Sequence, residues 1–295
     1  MIDLETFIQQ AQIQDFIYIP NPGNAGDSLI NAATFQFFDR LGLRYQVVSP
    51  KLVKQCLKKG RDLSQVFEFS GKVVVLGGGG AFTSHYTYSN RLVRELMHKV
   101  EHLVLLPCTI EGNAETLREM PENVTLFCRE QVSYDYVKSQ NEQVTVYLHH
   151  DMVLGLDVQR LIEEPAKLSS MRKKLKAYRN LKRVTSVIQQ HGHQCLSALR
   201  LDKEKTARTI PKGNLDMSTL FSLGTQTKED NIYSAQQFLT QLNRFERVIT
   251  NRLHVCIAST LLGKQVEFLG NSYFKNKAVY DLSLRQYNNV AYVSE

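Results

Sequence analysis

The first half of the chain alternates between short apolar runs and helical patterns, and this alternation limits the possible folds more than any other feature. Six runs rich in β-branched residues predict strands at residues 16–19, 45–48, 72–76, 102–106, 123–127 and 144–148. Helical spacing predicts helices at residues 28–41, 52–59, 90–100, 114–120 and 132–139. Strands that are apolar on both sides are typical of a parallel sheet covered by helices on both faces. The sequence therefore predicts a Rossmann-like N-terminal domain.

The same alternation resumes near the C-terminus after a charged helical interval. Strands are predicted at residues 194–199, 248–250 and 265–269, with helices at residues 235–245 and 254–262. We therefore predict an N-terminal domain over residues 1–160 and a smaller α/β domain over residues 161–295, and leave open that the last helix packs back on the first domain. Two such domains facing a central cleft would hold a ligand there, outside the carboxyl ends of their strands.

Charge and composition narrow the function. The 295 residues carry a net charge of +7, which favours acidic partners. Eight cations fall within residues 167–183; a solvated helix face and a peripheral contact with phosphate or lipid head groups both stay open. No nucleic-acid-binding module accompanies them, so we predict no nucleic-acid partner. The five cysteines are scattered and favour neither a disulfide framework nor a zinc site. A cytoplasmic protein, free or peripheral at the inner face of the membrane, is expected, and its oligomeric state stays open.

Two glycine-containing segments follow predicted strands. The first, Gly23-Asn24-Ala25-Gly26-Asp27, opens a helix, whose free N–H groups favour anions. Asp27 is either the N-cap of that helix or a group that binds or deprotonates a sugar hydroxyl. The second, Gly77-Gly78-Gly79-Gly80, allows either close approach of a ligand or a sharp turn against a neighbouring strand. Neither segment has the spacing of a dinucleotide site or a P-loop.

Cationic residues follow the predicted strands of the second half. Arg252 and His254 open a helix after residues 248–250, and Arg200 ends the strand at residues 194–199. A guanidinium fork, an imidazole and helix N–H groups together predict an anion site. His150 and Asp151 end the sixth strand. The adjacent His149 and His150 would point to opposite faces of that strand and could not easily bind one metal together, so we predict no metal site there and assign Asp151 to hydrogen bonding in the cleft.

The order of these motifs resembles the polysaccharide pyruvyl transferase family, of the exopolysaccharide biosynthesis type. Arg129-Glu130-Gln131-Val132-Ser133 and Asn271-Ser272-Tyr273-Phe274-Lys275 add to the resemblance, which runs from about residue 21 to residue 277. The family commonly has Arg-Asp where this chain has Arg129-Glu130, and a Pro-Asp-like pair where it has His150-Asp151. Both departures concern the acceptor side.

The resemblance implies a GT-B-like fold, phosphoenolpyruvate as donor, a saccharide acceptor that is often lipid-linked, and no cofactor. His254, Arg252 and Asp27 would be catalytic, with His254 as the acid–base group because imidazole titrates near neutrality. The implied donor-binding residues are Arg200, Arg252, Leu253, His254 and Lys275. The implied acceptor-binding residues, on the opposite wall, are Asn24, Gly26, Asp27, Gly78, Gly79, Gly80 and Asp151.

Two other functions stay open from sequence. A GT-B glycosyltransferase that uses a nucleotide-sugar would share the architecture, and Glu267 is the one obvious acid for a donor ribose. A non-catalytic protein that binds anions or glycans would share the anion site but would lack turnover.

Overall fold

The computed structural model describes residues 3–168, 170–202 and 208–294. Three positions of the predictions lie outside the described residues. They are Met1, which begins the first predicted domain, Glu295, which ends the second, and Ser169 in the basic stretch. The chain forms two compact units. Unit 1 contains the residues up to Pro22 together with Thr34–Met152, and unit 2 contains Gly23–Ala33 together with the residues from Val153 onward.

Unit 1 is built on a seven-stranded sheet in the order β2-β1-β3-β5-β6-β7, with β4 paired to β5. Every strand pair in it is parallel. The strands are β1 Asp15–Ile19, β2 Arg44–Val47, β3 Val73–Leu76, β4 Gly79–Thr83, β5 His102–Glu111, β6 Val124–Cys128 and β7 Thr145–Leu148. The helices are α1 Leu4–Gln10, α3 Pro50–Lys58, α4 Thr87–Leu96, α5 Ala114–Arg118 and α6 Gln131–Gln140, with a 3-10 turn at Leu63–Gln65. One further helix, α2 Ala25–Arg40, begins in unit 2 and ends in unit 1.

The strand interiors explain why this sheet is parallel and covered. All five residues of β6 are buried, and β5 is buried at every position except its two ends. Since such strands have no polar face, helices must cover the sheet on both sides. The six strands predicted for this half are all present, which confirms the α/β class.

Two details of this sheet differ from the prediction. Residues 79–83, for which the sequence predicts no strand, form β4, which pairs with the second half of β5. β5 itself continues through Pro107 to Glu111, with a register shift between Leu105 and Cys108. Pro removes one ladder hydrogen bond but is tolerated at an irregularity, so the strand passes through it.

Unit 2 contains a four-stranded parallel sheet in the order β11-β10-β9-β8. The strands are β8 Cys195–Ser197, β9 Arg247–Thr250, β10 Gln265–Leu269 and β11 Val290–Val293. Its helices are α7 Val158–Glu163, α8 Met171–His191, α9 Met217–Leu220, α10 Lys228–Leu242, α11 Leu253–Leu261 and α12 Lys275–Val279, with a 3-10 turn at Met152–Gly155 and a π-helical turn at Tyr280–Leu284. The final element is therefore a strand, β11. The predicted central cleft stays a prediction.

In the described ranges, no helix combines the length and the apolar character that a membrane crossing needs.

Candidate active site

The carboxyl edge of the second sheet collects the cationic residues that the sequence singles out. Arg200 follows β8, Arg252 and His254 follow β9, and Lys275 follows β10. Because β8, β9 and β10 are parallel neighbours, their carboxyl ends lie along one edge. Arg200 and Arg252 are both largely buried, with only 6% and 7% of their surface exposed.

The two arginines converge on one carboxylate. Arg200 Nε donates to Asp202 Oδ1 at 2.7 Å, and Arg200 Nη2 donates to Asp202 Oδ2 at 2.9 Å. Arg252 Nη2 donates to the same Oδ2 at 3.2 Å. The Asp202 side chain is 44% exposed. Two buried guanidinium groups thus grip a carboxylate that solvent still reaches, a geometry that suits carboxylate or phosphate recognition.

A second, buried carboxylate orients Arg252. Asp216 contacts Arg252 Nη2 and is itself the N-cap of α9, where its Oδ2 accepts from the Thr219 hydroxyl at 2.9 Å. Leu215 N donates to the carbonyl oxygen of Ser197, the last residue of β8. This hydrogen bond brings the neighbouring Asp216 to the end of that strand. Among the described residues, Arg252 Nε is buried without a hydrogen-bond partner. Arg252 therefore retains a donor for which a bound anion would be a partner.

Asparagine side chains tie the three strand ends together. Asn251 Oδ1 accepts from Arg200 N at 3.0 Å, which joins the ends of β8 and β9. Asn276 Nδ2 donates to Asn251 O at 2.9 Å and to Leu269 O at 3.1 Å, which joins β9 to β10. Sequence reasoning missed Asn276, Asp202 and Asp216 as site residues. Two signals in the sequence bear on the two aspartates: residues 202–230 have few apolar repeats, which predicts a long loop over a site, and the Asp216-x-x-Thr219 spacing predicts a helix cap.

The first glycine motif lies beside His254. Asn24 Oδ1 accepts from Gly26 N, and Asp27 Oδ2 accepts from Asn24 N, each at 2.8 Å. This reciprocal capping pattern gives Asn24 the N-cap position and puts Asp27 in the first turn of α2. A side chain at Gly26 would put its Cβ 2.7 Å from His254 Nδ1. Gly26 and His254 belong to the same compact unit, which differs from the opposite-wall arrangement that the resemblance implies.

Leu253 and Lys275 are the remaining implied donor residues. Leu253 is the first residue of α11 and is buried. Lys275, also buried, begins α12, and its Nζ lies 4.9 Å from the centre of the Tyr273 ring. The negative face of the aromatic ring attracts the ammonium group and offsets part of the cost of burying it.

The second glycine motif lies at the carboxyl edge of the first sheet and passes close to neighbouring backbone. A Cβ at Gly77 would lie 2.5 Å from Asn21 N, and one at Gly78 would lie 2.3 Å from Pro107 O. Gly79 has a φ of +113°, which side chains rarely adopt. Gly80 approaches Arg129, whose Nη2 would be 3.3 Å from an added Cβ. Close backbone packing thus explains the glycines at positions 77 and 78, and the positive φ explains Gly79.

Asp151 lies in the interior at the same edge of the first sheet. Its Oδ2 accepts from Arg129 Nη1 at 2.7 Å, and both side chains are only 1% exposed. Arg129 Nε also donates to the Thr109 hydroxyl at 3.0 Å. The neighbouring Glu130 caps α6, and burial raises the pKa of its carboxyl despite hydrogen bonds from Ser133 that favour ionisation. The structure therefore places Asp151 in a closed ion pair.

Across the described part of the chain, no group of three or more His, Cys, Asp or Glu side chains could hold a metal. Both ring nitrogens of His149 have partners: Nδ1 lies 2.8 Å from His150 O, and Nε2 lies 3.5 Å from Asp3 Oδ1.

Comparisons with known proteins agree with these motifs. The sequence model of the family described as polysaccharide pyruvyl transferase matches residues 24–273. The Bacillus subtilis (strain 168) protein named "Putative pyruvyl transferase EpsO" is 25% identical over 291 residues, which cover 92% of this chain and 85% of that protein. The crystal structure of the uncharacterised protein KP1_0663 from Klebsiella pneumoniae subsp. pneumoniae NTUH-K2044 superimposes with a TM-score of 0.76 at 26% identity, covering both chains completely.

The matched span begins at the capping loop of α2 and ends just before Lys275, so it contains both arginines, His254 and the four glycines. It covers well over half of the sequence. The chain is a transferase and belongs to the polysaccharide pyruvyl transferase family.

Proposed function

We propose that this transferase moves the enolpyruvyl unit of phosphoenolpyruvate onto a saccharide, forms a pyruvate ketal and releases phosphate. The observation that carries the proposal is the convergence of Arg200 and Arg252 on the Asp202 carboxylate. Phosphoenolpyruvate carries a carboxylate and a phosphate, and either group can replace Asp202 between the two guanidinium forks. The exposure of Asp202 supports this exchange, since solvent already reaches the carboxylate.

The reaction balances without a cofactor. An acid protonates the methylene carbon of the donor, which becomes the methyl group of the product, and the central carbon becomes electrophilic. One sugar hydroxyl attacks that carbon and loses its proton, the bond from carbon to the phosphate oxygen breaks, and a second hydroxyl closes the ketal. Of the two protons that the sugar hydroxyls lose, one restores the acid that protonated the methylene carbon, and the other leaves with phosphate.

We assign the proton transfers to His254, which opens α11 at the edge where the arginines lie. Gly26 packs against its Nδ1, so the capping loop of α2 limits how the imidazole can turn. Arg252 and Arg200 would stabilise the charge on the departing phosphate, and Lys275 would add a cation. Asp27 remains the second candidate for the base that accepts a hydroxyl proton.

The acceptor assignment rests on the resemblance. Under this proposal the sugar meets the capping loop through Asn24, Gly26 and Asp27, and the glycine segment through Gly78, Gly79 and Gly80. We propose that Asp151 supports the acceptor side indirectly, because its closed ion pair fixes Arg129, which lies against Gly80 of the glycine segment. That the two units face a central cleft, as in GT-B enzymes, and that the acceptor is an exopolysaccharide precursor or a lipid-linked saccharide, are parts of the same proposal.

The nucleotide-sugar alternative receives little support. Glu267, the acid that could contact a ribose, is held by Arg247 at 2.8 Å and by Arg208 at 3.3 Å. A ribose would have to compete with both ion pairs.

The first test is incubation of the protein with phosphoenolpyruvate and a panel of saccharides while phosphate release is followed. Phosphoenolpyruvate should also raise the melting temperature, because a ligand that binds only the folded state stabilises it. UDP-sugars should leave the melting temperature unchanged. A shift with UDP-sugars and none with phosphoenolpyruvate would overturn the donor assignment.

Arg252→Lys sharpens the test. Lysine keeps the positive charge but loses the planar fork that can hold two oxygens at once. We expect the KM for phosphoenolpyruvate to rise by roughly 13- to 160-fold, which corresponds to the loss of about 1.5–3 kcal/mol for a hydrogen bond to a charged group. Arg247→Lys, on β9 but paired with Glu267, is the matched control and should leave KM unchanged.

A further inference from the structure

Helix α8 presents an apolar stripe to solvent inside its basic surface. Met171, Leu175 and Tyr178 are 77%, 50% and 55% exposed. Their spacing of four and three residues puts them on one side of the helix. Eight large hydrophobic side chains in the described residues are exposed, and three of them are on this helix. Scattered exposed apolar residues are ordinary, whereas a stripe on one helix face marks an interaction surface.

The opposite side of α8 is fixed to unit 2. Ala177 and Val184 are buried. Lys173 Nζ pairs with the buried carboxylate of Asp230 at 2.5 Å, and Asn180 Nδ2 donates to Leu220 O at 2.5 Å. The stripe therefore lies on the side of α8 that does not pack against the rest of unit 2. Because the opposite side is held by these contacts, poor packing of the helix does not explain the exposure of the stripe.

Cations flank the stripe. α8 contains seven Lys and Arg residues and no Asp or Glu. Arg172, Lys174, Arg179 and Arg183 have exposed side chains. Lys182 Nζ lies 4.7 Å from the centre of the Tyr178 ring, at the C-terminal end of the stripe. A helix with apolar side chains surrounded by Lys and Arg has the pattern of helices that lie in the interface of an anionic bilayer.

We propose that the outward face of α8, formed by the stripe and its flanking cations, docks unit 2 onto an anionic lipid surface. Charge complementarity selects this occupant. A second copy seated on the same face would bring the flanking cations of one α8 against those of the other, with no acidic residue on either helix to offset them. Nucleic acid would satisfy the cations but leave Met171 and Leu175 without apolar partners. A bilayer interface supplies both phosphate head groups and acyl chains.

The protein contains no tryptophan, which permits a direct test. Leu175→Trp introduces a single tryptophan within the stripe, and its emission can be excited apart from that of the tyrosines. Leu52→Trp is the matched control, because Leu52 is also 50% exposed and lies on α3, a basic helix without acidic residues. We expect the emission of Leu175→Trp to shift to the blue with vesicles of phosphatidylglycerol and phosphatidylcholine, and brominated lipid to quench it. Leu52→Trp should show neither effect.

A second pair of variants tests the charges. Lys174→Ala with Arg179→Ala should weaken binding to the same vesicles at low salt by about 25-fold, since each interfacial cation contributes about fivefold. Lys54→Ala with Lys58→Ala, on α3, removes the same charge and should change binding by no more than about twofold. Binding should fall with salt and be lost on pure phosphatidylcholine vesicles. Release of phosphate from phosphoenolpyruvate with a soluble acceptor should be unchanged in all four variants, because none lies in the candidate active site.

Three results would overturn the proposal. Equal blue shifts at positions 52 and 175 would show that the stripe has no special role. A shift with duplex DNA but not with vesicles would assign the face to nucleic acid. A dimer in sedimentation velocity that Leu175→Ser abolishes would assign it to a second copy of the chain. Circular dichroism of each variant should match the wild type, since only exposed side chains are changed.

Discussion

The carboxyl edges of the two sheets both hold arginine and aspartate, yet they use them in opposite ways. At the edge of the first sheet, Arg129 and Asp151 form a closed pair from which solvent is excluded. At the edge of the second sheet, Arg200 and Arg252 share Asp202, which solvent reaches, and Arg252 also holds the buried Asp216. The first edge satisfies its charges internally. The second leaves its guanidinium groups facing a carboxylate that the donor would replace in the proposed function.

This difference separates structure from function at two places that look alike in sequence. A buried pair without solvent access holds backbone segments in place. Removing one partner leaves the other charge buried without a counter-charge. A pair with an exchangeable anion is a binding site, and changing it alters ligand affinity more than stability. The predictions below test this division, beginning with the largest expected effect.

Removal of the imidazole at the second edge should give the largest effect. His254→Ala should lower turnover by about 10²–10⁴-fold, the usual contribution of general acid–base catalysis, while donor binding persists. His150→Ala, which removes an imidazole at the first edge, is the control and should retain most of the activity. Phosphate release at saturating phosphoenolpyruvate measures both. If the two variants lose activity equally, the assignment of chemistry to the second edge fails.

Asp151→Asn should destabilise the protein strongly, because it leaves the Arg129 guanidinium buried without a counter-charge. We expect a loss of about 3–5 kcal/mol in the free energy of unfolding. Asp281→Asn removes a carboxylate from an exposed pair with Lys277 and should cost less than about 1 kcal/mol. Urea unfolding curves compare the two. A loss below about 1 kcal/mol for Asp151→Asn would mean that the first edge is not closed in solution.

Asp202→Asn should act on affinity. The amide competes less well than a carboxylate for the guanidinium groups, so an incoming anion displaces it more easily. Binding of phosphoenolpyruvate or inorganic phosphate, measured by calorimetry, should tighten by up to about fivefold, as expected for a partly exposed ion pair. Asp281→Asn changes the net charge equally and should leave binding unaltered. Weaker binding in Asp202→Asn would show that this carboxylate helps to hold the ligand.

The smallest effect should appear in the pH dependence of stability at the first edge. Burial raises the pKa of Glu130 above its usual value of 4.5. Between pH 4.5 and the pKa in the folded state, the folded protein therefore binds more protons at this group than the unfolded chain does. Stability from this group is therefore complete below pH 4.5 and is lost as pH rises through the folded pKa. Relative to Glu130→Gln, the wild type should lose unfolding free energy over that window. A constant difference between pH 4 and pH 8 would contradict the direction of the shift.

Most of the fold could be predicted because its strands are marked by local composition. The strand at Gln265–Leu269 matches its predicted bounds, and the other predicted strands are all present. β4 was missed because Gly79 and Gly80 have low strand propensity, and its strand geometry depends on pairing with an extended β5. α10 begins at Lys228, seven residues before its predicted start at Ala235. Thr227, whose hydroxyl accepts from Asp230 N, gives the signal that would have found this start.

The candidate site could be predicted only as far as its motifs. Arg200, Arg252 and His254 follow strands of one parallel sheet, and the rule for strand ends brings them to one edge. Asp216 could not be found in this way, because it lies 36 residues from Arg252 in a loop whose course depends on pairing with β8. The position of Gly26 beside His254 was likewise not visible, since residues 26 and 254 belong to opposite ends of the sequence.

The discontinuity of unit 2 has a consequence for synthesis. Residues 23–33 leave the ribosome among the first of the chain, but the remainder of their unit begins at Val153. The buried amide of Asn31 donates to Asn231 at 2.9 Å, across 200 positions of sequence. Until Asn231 has been synthesised, the Asn31 amide lacks the hydrogen-bond partner that it has in the folded protein. Unit 2 thus cannot finish folding as a nascent domain before the chain is nearly complete, and contacts of such long sequence separation form slowly.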